Sequence, residues 1–328
     1  MLTNTAILKA FSAILIMIVT ASLIFNMIVL VTFACIKRRL TFREVLFVSI
    51  ALSDLLQALL GYTVEIVTTA DGYWSFGTLA CQLVGFVVTF LGLVSINHLA
   101  LLALDRYMTV CHPRKTERIH KYRINAIFFA LLGWLYALLW AVPPILGWSN
   151  YALESVKVRC SVNWKDESLA GKGYVICLFV FGFLTHIITL IFCYYKIHKT
   201  LVKLSESNPP LDDTGASPTP KLDPRAERTY SRMVFAMIFS FLIAWLPYAI
   251  LSLWTTFSPT FQAPIVVELS SALLAKSSTV FNPIIYVFYY KNFRKELGRL
   301  CTDYCCGLDE SEIMPTEGQE PDGQPEIT

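Results

Sequence analysis

The chain has 328 residues, of which 55% are hydrophobic, 13% aromatic and only 16% charged, where soluble domains run at about 25% charged. A mean hydropathy of +0.56 demands lipid as solvent, and a net charge of +3 is too small for a nucleic-acid partner. Nine cysteines in a chain of this length do not form a disulfide scaffold.

In chain order, seven apolar stretches are long enough to cross about 30 Å of hydrocarbon. They are 6–35, 45–70, 82–110, 124–145, 173–197, 233–257 and 264–287. The first has no cleavage-like end and runs into Lys37-Arg38-Arg39, so it reads as a retained span. Residues 291–300 are basic and amphipathic, with Phe293, Leu297 and Leu300 on the apolar side, and are expected to lie along the membrane surface. The expected fold class is an all-α integral membrane protein, a seven-transmembrane helix bundle with a short amphipathic eighth helix over 6–300.

Of the 27 lysines and arginines, 21 lie at the junctions after spans one, three and five and after span seven. Five lie on the other side (Lys9, Lys157, Arg159, Lys165 and Lys172), and Lys276 lies inside a span. The positive-inside rule then places the N-terminus, 1–5, outside and the C-terminus in the cytoplasm, in a plasma or photoreceptor membrane crossed many times. The inner connector 204–230 is rich in Ser, Pro and Asp, and the tail 301–328 is acidic; both are expected to be wholly or partly disordered. No internal repeat suggests a transporter built from two halves.

Polar residues punctuate the spans: Asn26 in span one, Asp54 in Leu52-Ser53-Asp54-Leu55, and Asp105-Arg106-Tyr107 at the inner end of span three. Trp134 follows in span four, Trp245-Leu246-Pro247 in span six and Asn282-Pro283-Ile284-Ile285-Tyr286 in span seven. A buried Asp54 or Asn282 is costly in lipid unless it faces polar partners inside the bundle. Pro247 and Pro283 interrupt backbone hydrogen bonds and give spans six and seven places to bend. Arg106 beside Asp105 is a cation at the inner mouth that acids can hold and release, with Glu227 as a second partner.

This ordered set resembles a rhodopsin-class G-protein-coupled receptor from Asn26 to Leu300. The resemblance implies a heterotrimeric G protein as partner, with a receptor kinase and arrestin, in addition to membrane lipid. It also implies a disulfide between Cys81 and Cys160, in keeping with an oxidising exterior. Cys305-Cys306 is a palmitoylation candidate, beside the plain reading of two cytosolic thiols. His98 and His186 read as satisfied core histidines outside any metal-ligand pattern. His186 stands where the family usually has proline, which leaves the usual widening of span five in question.

Lys276 is an ammonium in mid-span and therefore a functional position by default. It lies six residues outward of Asn282, about 9 Å along a helix. The run Ala275-Lys276-Ser277-Ser278-Thr279-Val280-Phe281-Asn282-Pro283 resembles the seventh helix of opsins. That implies retinal, 11-cis in the dark, held as a Schiff base on Lys276; a lysine can do this because burial lowers its proton affinity and exposes the amine. Trp245, Tyr248, Phe179, Phe183, Thr89, Gly92 and Ala272 match opsin pocket positions, although each aromatic alone reads equally as packing. Two other readings stand beside the light-sensing receptor: a receptor for a diffusible ligand, and a retinal photoisomerase. The intact Asp105-Arg106-Tyr107 and Asn282 to Tyr286 motifs argue against the latter.

A protonated Schiff base in a dry pocket needs an anion. The position three residues after Cys81, glutamate in many vertebrate eye opsins, is Val84 here. Glu154, six residues before Cys160, matches the counterion of many other opsins; Glu65 in span two is the second candidate. Glu65 follows Asp54 by eleven residues, a net rotation of about 20° and a rise of about 16 Å on a straight helix. It should face the interior within reach of Lys276, so Glu65 is favoured and Glu154 remains the alternative. A span-two glutamate with no acid after Cys81 looks most like cnidarian opsins, those of box jellyfish above all, which implies a stimulatory G protein and a rise in cyclic AMP.

Overall fold

The computed structural model describes residues 2–207, 224–258 and 260–305. Spans one to three are α1 (Leu2–Ala34), α2 (Phe42–Gln57) continued through a π-turn into α3 (Thr63–Asp71), and α4 (Gly77–Cys111). A short α5 (Pro113–His120) leads to span four, α6 (Arg123–Ala141). Span five is α7 (Leu169–Phe179), a second π-turn and α8 (Thr185–Ser207), followed by α9 (Pro224–Phe257), α10 (Ile265–Tyr289) and the surface helix α11 (Lys291–Cys305).

By length and composition, six of these spans among the described residues can cross a membrane. The seventh, α10, packs into the same bundle against α9 and α1; Lys276, Asn282, Ser271 and Ser278, all buried, dilute its apolar character. Hydrocarbon-facing side chains such as Met17, Leu135, Leu139 and Ile191 are exposed, as a bundle dissolved in lipid requires. The central helix is α4, in contact with α2, α6, α8 and α9. Beside it, Ser95 Oγ donates to Asp54 Oδ1 at 2.7 Å and Asn282 Nδ2 to Asp54 Oδ2 at 3.1 Å. These bonds answer the desolvation that makes such residues expensive in lipid.

Several boundaries differ from the expected ones, because helices continue beyond their apolar stretches once their ends meet water. The first helix begins at Leu2, within the segment 1–5 expected as the N-terminus ahead of span one. The connector expected over 204–230 is helical up to Ser207 and again from Pro224, a residue suited to the first helical turn. The surface helix runs to Cys305, five residues into the expected tail. Cys306 and the side chain of Cys305, the lipidation candidates, fall outside the described residues.

The two π-turns, Ala58–Tyr62 and Val180–Leu184, each rotate one half of their span, the half toward Asp71 in span two and toward Leu169 in span five. At Gly61 a Cβ would stand 2.5 Å from Val88 Cγ2, so only glycine allows α4 to approach the first turn. The second turn ends just before His186, so span five is widened there without proline. The His186 imidazole is instead bonded to Asn97 Oδ1 across the bundle at 2.8 Å. His98 is likewise satisfied, by Ser49 at 3.1 Å and the Val94 carbonyl at 2.7 Å.

At the end carrying Cys81, strands β1 (Tyr151–Leu153) and β2 (Cys160–Val162) form an antiparallel hairpin with Leu153 opposite Cys160. A disulfide joins Cys81 to Cys160 and ties the hairpin to the start of α4. Tyr151 packs under it against Gly85, where a Cβ would come within 2.8 Å of the ring.

Candidate functional site

Beneath the hairpin lies a cavity among α3, α4, α7, α9 and α10. Thr89, Gly92, Phe179, Phe183, Trp245, Tyr248, Ala272, Lys276, Glu65 and Glu154 all line it. The π-turn in span two lies between Asp54 and Glu65, so the rotation expected of an unbroken helix does not strictly apply. Glu65 nevertheless ends inward, 7% exposed.

Lys276 Nζ lies 3.1 Å from Glu65 Oε2, both side chains about nine-tenths buried. The ammonium also sits 5.1 Å from the centre of the Tyr62 ring, a cation–π contact within the usual range. The Tyr62 hydroxyl is buried without a hydrogen-bond partner among the described residues. Around this polar corner the walls are aromatic and aliphatic. Trp245 crosses the floor and donates to Ser278 Oγ at 3.0 Å, which fixes its ring plane.

Glu154 has other company. Arg159 Nε donates to Glu154 Oε2 at 2.6 Å, and Arg159 is 3% exposed. The Tyr248 hydroxyl donates to Glu154 Oε1 at 2.7 Å and Trp164 donates to Tyr248 at 3.1 Å. Burial alone would raise the Glu154 carboxyl; the Arg159 charge and these hydrogen bonds outweigh it and hold the group below its ordinary value. A lowered folded pKa contributes stability at pH above the ordinary glutamate range, and this is lost as pH falls through the folded value. Thermal midpoints measured from pH 6 downward should therefore fall more steeply for the wild type than for Glu154→Gln. Parallel curves would remove this pair from the acid limb.

The sequence matches the seven-transmembrane receptor (rhodopsin family) over residues 25–286. It is 32% identical to Opsin-VA of Rutilus rutilus over 298 residues, covering 90% of this chain and 75% of that protein. Pinopsin of Gallus gallus is 34% identical, with 88% of this chain and 79% of the relative covered. Parapinopsin of Ictalurus punctatus is 33% identical, with 84% and 77% covered. The chain belongs to the opsins. The crystal structure of squid rhodopsin superposes with a TM-score of 0.78 over 94% of this chain and 89% of the other; at 24% identity that likeness speaks for the fold alone.

Membership makes the opsin a light receptor of the membrane, with retinal implied as chromophore and a heterotrimeric G protein as partner. Opsins are signalling receptors, so both the diffusible-ligand and the isomerase readings give way. Its second polar centre lies at the opposite end of the bundle. Arg106 Nη1 donates to Glu227 Oε2 at 2.7 Å, and Nη2 to Asp105 Oδ2 at 3.2 Å. The guanidinium stands 4.1 Å from the Tyr230 ring centre. Asp105 is shared with Arg43 at 3.1 Å and His120 at 2.6 Å.

Tyr107 does not join this cluster; its hydroxyl meets His112 at 3.1 Å. Pro283 and Tyr286 are buried in α10, and Tyr286 packs on Phe47 with 4.6 Å between ring centres. Among the pocket residues that sequence reasoning did not name, Tyr62 and Arg159 bear most on the charges. Tyr62 precedes Glu65 by three positions, the spacing of one helix face, and that was a usable signal. Arg159 was counted only as an exterior cation; its position facing Glu154 across the hairpin turn depends on strand register.

Proposed function

We propose that the opsin holds retinal as a protonated Schiff base on Lys276, 11-cis in the dark, with Glu65 as counterion. The observation that carries this reading is the 3.1 Å approach of Lys276 Nζ to Glu65 Oε2 inside an apolar cavity. The residues present fit the group. A buried amine has one carboxylate beside it, the aromatic walls offer a dry sleeve, and the unpaired Tyr62 hydroxyl supplies a polar group at the corner.

Retinal when bound supplies light absorption and a change of shape. The chain's own residues do the rest. Glu65 holds a proton on Nζ by offering the adjacent negative charge. Arg159 neutralises Glu154, which leaves Glu65 as the acid facing Lys276. The hairpin with Tyr248 and Trp164 shields the corner from water. The test is the absorbance spectrum of purified protein incubated with 11-cis-retinal. Visible absorption is expected in the wild type and none in Lys276→Ala; a visible pigment in well-folded Lys276→Ala overturns the reading.

Orientation belongs to the same proposal: the N-terminus outside, and the Arg106 end and tail in the cytoplasm, supported by the segregation of lysine and arginine. There Arg106, Asp105 and Glu227 form the resting lock, and Asp54, Asn282 and Tyr286 link it to the pocket. Removing the Glu227 charge deletes a charge-assisted bond of about 1.5–3 kcal/mol. Glu227→Gln should therefore raise dark nucleotide exchange on the G protein by roughly tenfold or more. Unchanged dark exchange would show that Glu227 does not restrain the helix. The span-two acid, which resembles that of box jellyfish opsins, supports a stimulatory G protein and cyclic AMP as output, with kinase and arrestin acting afterwards. A light-driven cyclic AMP rise in transfected cells is the corresponding assay.

A further inference from the structure

A groove between α8 and α9, at the Arg106 end, has no part in the pocket or the lock. Its floor is Ile197, Leu201 and Ser231, all buried, and its rims carry His198 from α8 and Arg228 and Arg232 from α9. Positions 197, 198 and 201 of one helix and 228, 231 and 232 of the other follow helix spacing, so two rows face each other across the gap. The Ser231 residue is 7% exposed, yet its hydroxyl has no hydrogen-bond partner among the described residues. A buried hydroxyl is normally paired. Tyr194, Ile197 and Ser231 also line a small cavity reaching in to Arg106, whose Nε is unpaired as well.

We propose that this groove binds the phosphorylated headgroup of an anionic lipid of the cytoplasmic leaflet. Guanidinium forks match phosphate oxygens in pairs, and Arg228 and Arg232, one turn apart, present two of them. Ser231 Oγ then donates to a phosphate oxygen and is satisfied. Basic pockets between spans on the cytoplasmic side suit such headgroups. A lipid fits better than a free phosphate because the floor is apolar and the flanking faces expose Ile191, Tyr195 and Phe239, so the groove continues into hydrocarbon. Arg228 follows Glu227 on α9, so a headgroup bridging α8 and α9 loads the same helix end that holds Arg106.

The proposal rests on the Arg106 end being cytoplasmic. Full-length opsin in phosphatidylcholine nanodiscs doped with phosphatidylinositol 4,5-bisphosphate is compared with the variants Arg228→Gln, Arg232→Gln and Ser231→Ala by native mass spectrometry of bound lipid. Each arginine variant should bind roughly fivefold less and Ser231→Ala should lose a smaller factor, while Lys291→Gln/Arg294→Gln on α11 stays at wild-type level. Wild-type binding by both arginine variants, or an equal loss from the α11 pair, overturns the site. Soluble inositol trisphosphate should bind far more weakly than the lipid; equal binding would make this a soluble-phosphate site and overturn the lipid assignment. Each variant's visible absorbance with retinal is recorded first. Lost lipid binding in an intact pigment bears on this groove, whereas a failed pigment bears on the function proposed above.

Discussion

Glu65→Gln will move the retinal pigment's absorption from the visible into the ultraviolet at neutral pH, and Glu154→Gln will not. Removing one partner of a buried pair leaves an uncompensated charge, at a cost of about 3–5 kcal/mol. Converted at 1.36 kcal/mol per tenfold, that is a factor of roughly one hundred to several thousand in the balance between the visible and ultraviolet forms. The sign follows from the charge: a cation left without its anion gives up its proton more readily, so the balance moves toward the ultraviolet form. Glu154 differs because Arg159 already compensates it at 2.6 Å. Spectra of the two variants between pH 4 and pH 9 decide the matter. A transition that moves with Glu154→Gln alone would transfer the counterion to the hairpin.

The second large effect is expected at Arg159. Arg159→Gln strands Glu154 in a site where both partners are largely buried and should cost about 3–5 kcal/mol, read as faster thermal loss of the pigment in the dark. The Arg159 Nη2 bond to the Glu268 carbonyl at 3.0 Å, which ties the hairpin to α10, goes with it. Adding Glu154→Gln removes the stranded charge, so the double variant should recover much of the loss. A double variant as labile as Arg159→Gln would mean that the bond to α10, not the ion pair, is what Arg159 contributes.

Much of this molecule could be read before it was folded. Apolar stretches of bilayer length made the seven spans visible, since each had to satisfy its backbone internally as a helix in lipid. Lys276 stood out because a mid-span ammonium is too costly to be incidental. Height along a helix sufficed to bring Glu65 within reach of it, even though the π-turn in span two was invisible; Gly61 in that turn stands close against Val88 of another helix, and no local signal encodes that contact. Boundaries erred at the water-facing ends, where hydropathy stops before the helix does.

By itself, then, the sequence determined the bundle, the intramembrane lysine and the acids able to face it, because those follow from the cost of burying charge and backbone in hydrocarbon. Only the tertiary structure decided how the acids divide. Strand register in the hairpin pairs Glu154 with Arg159, and helix packing sets Glu65 at 3.1 Å from Lys276. Charge pairing depends on distances of a few ångströms between groups far apart in the chain, and those distances exist only once the helices have packed.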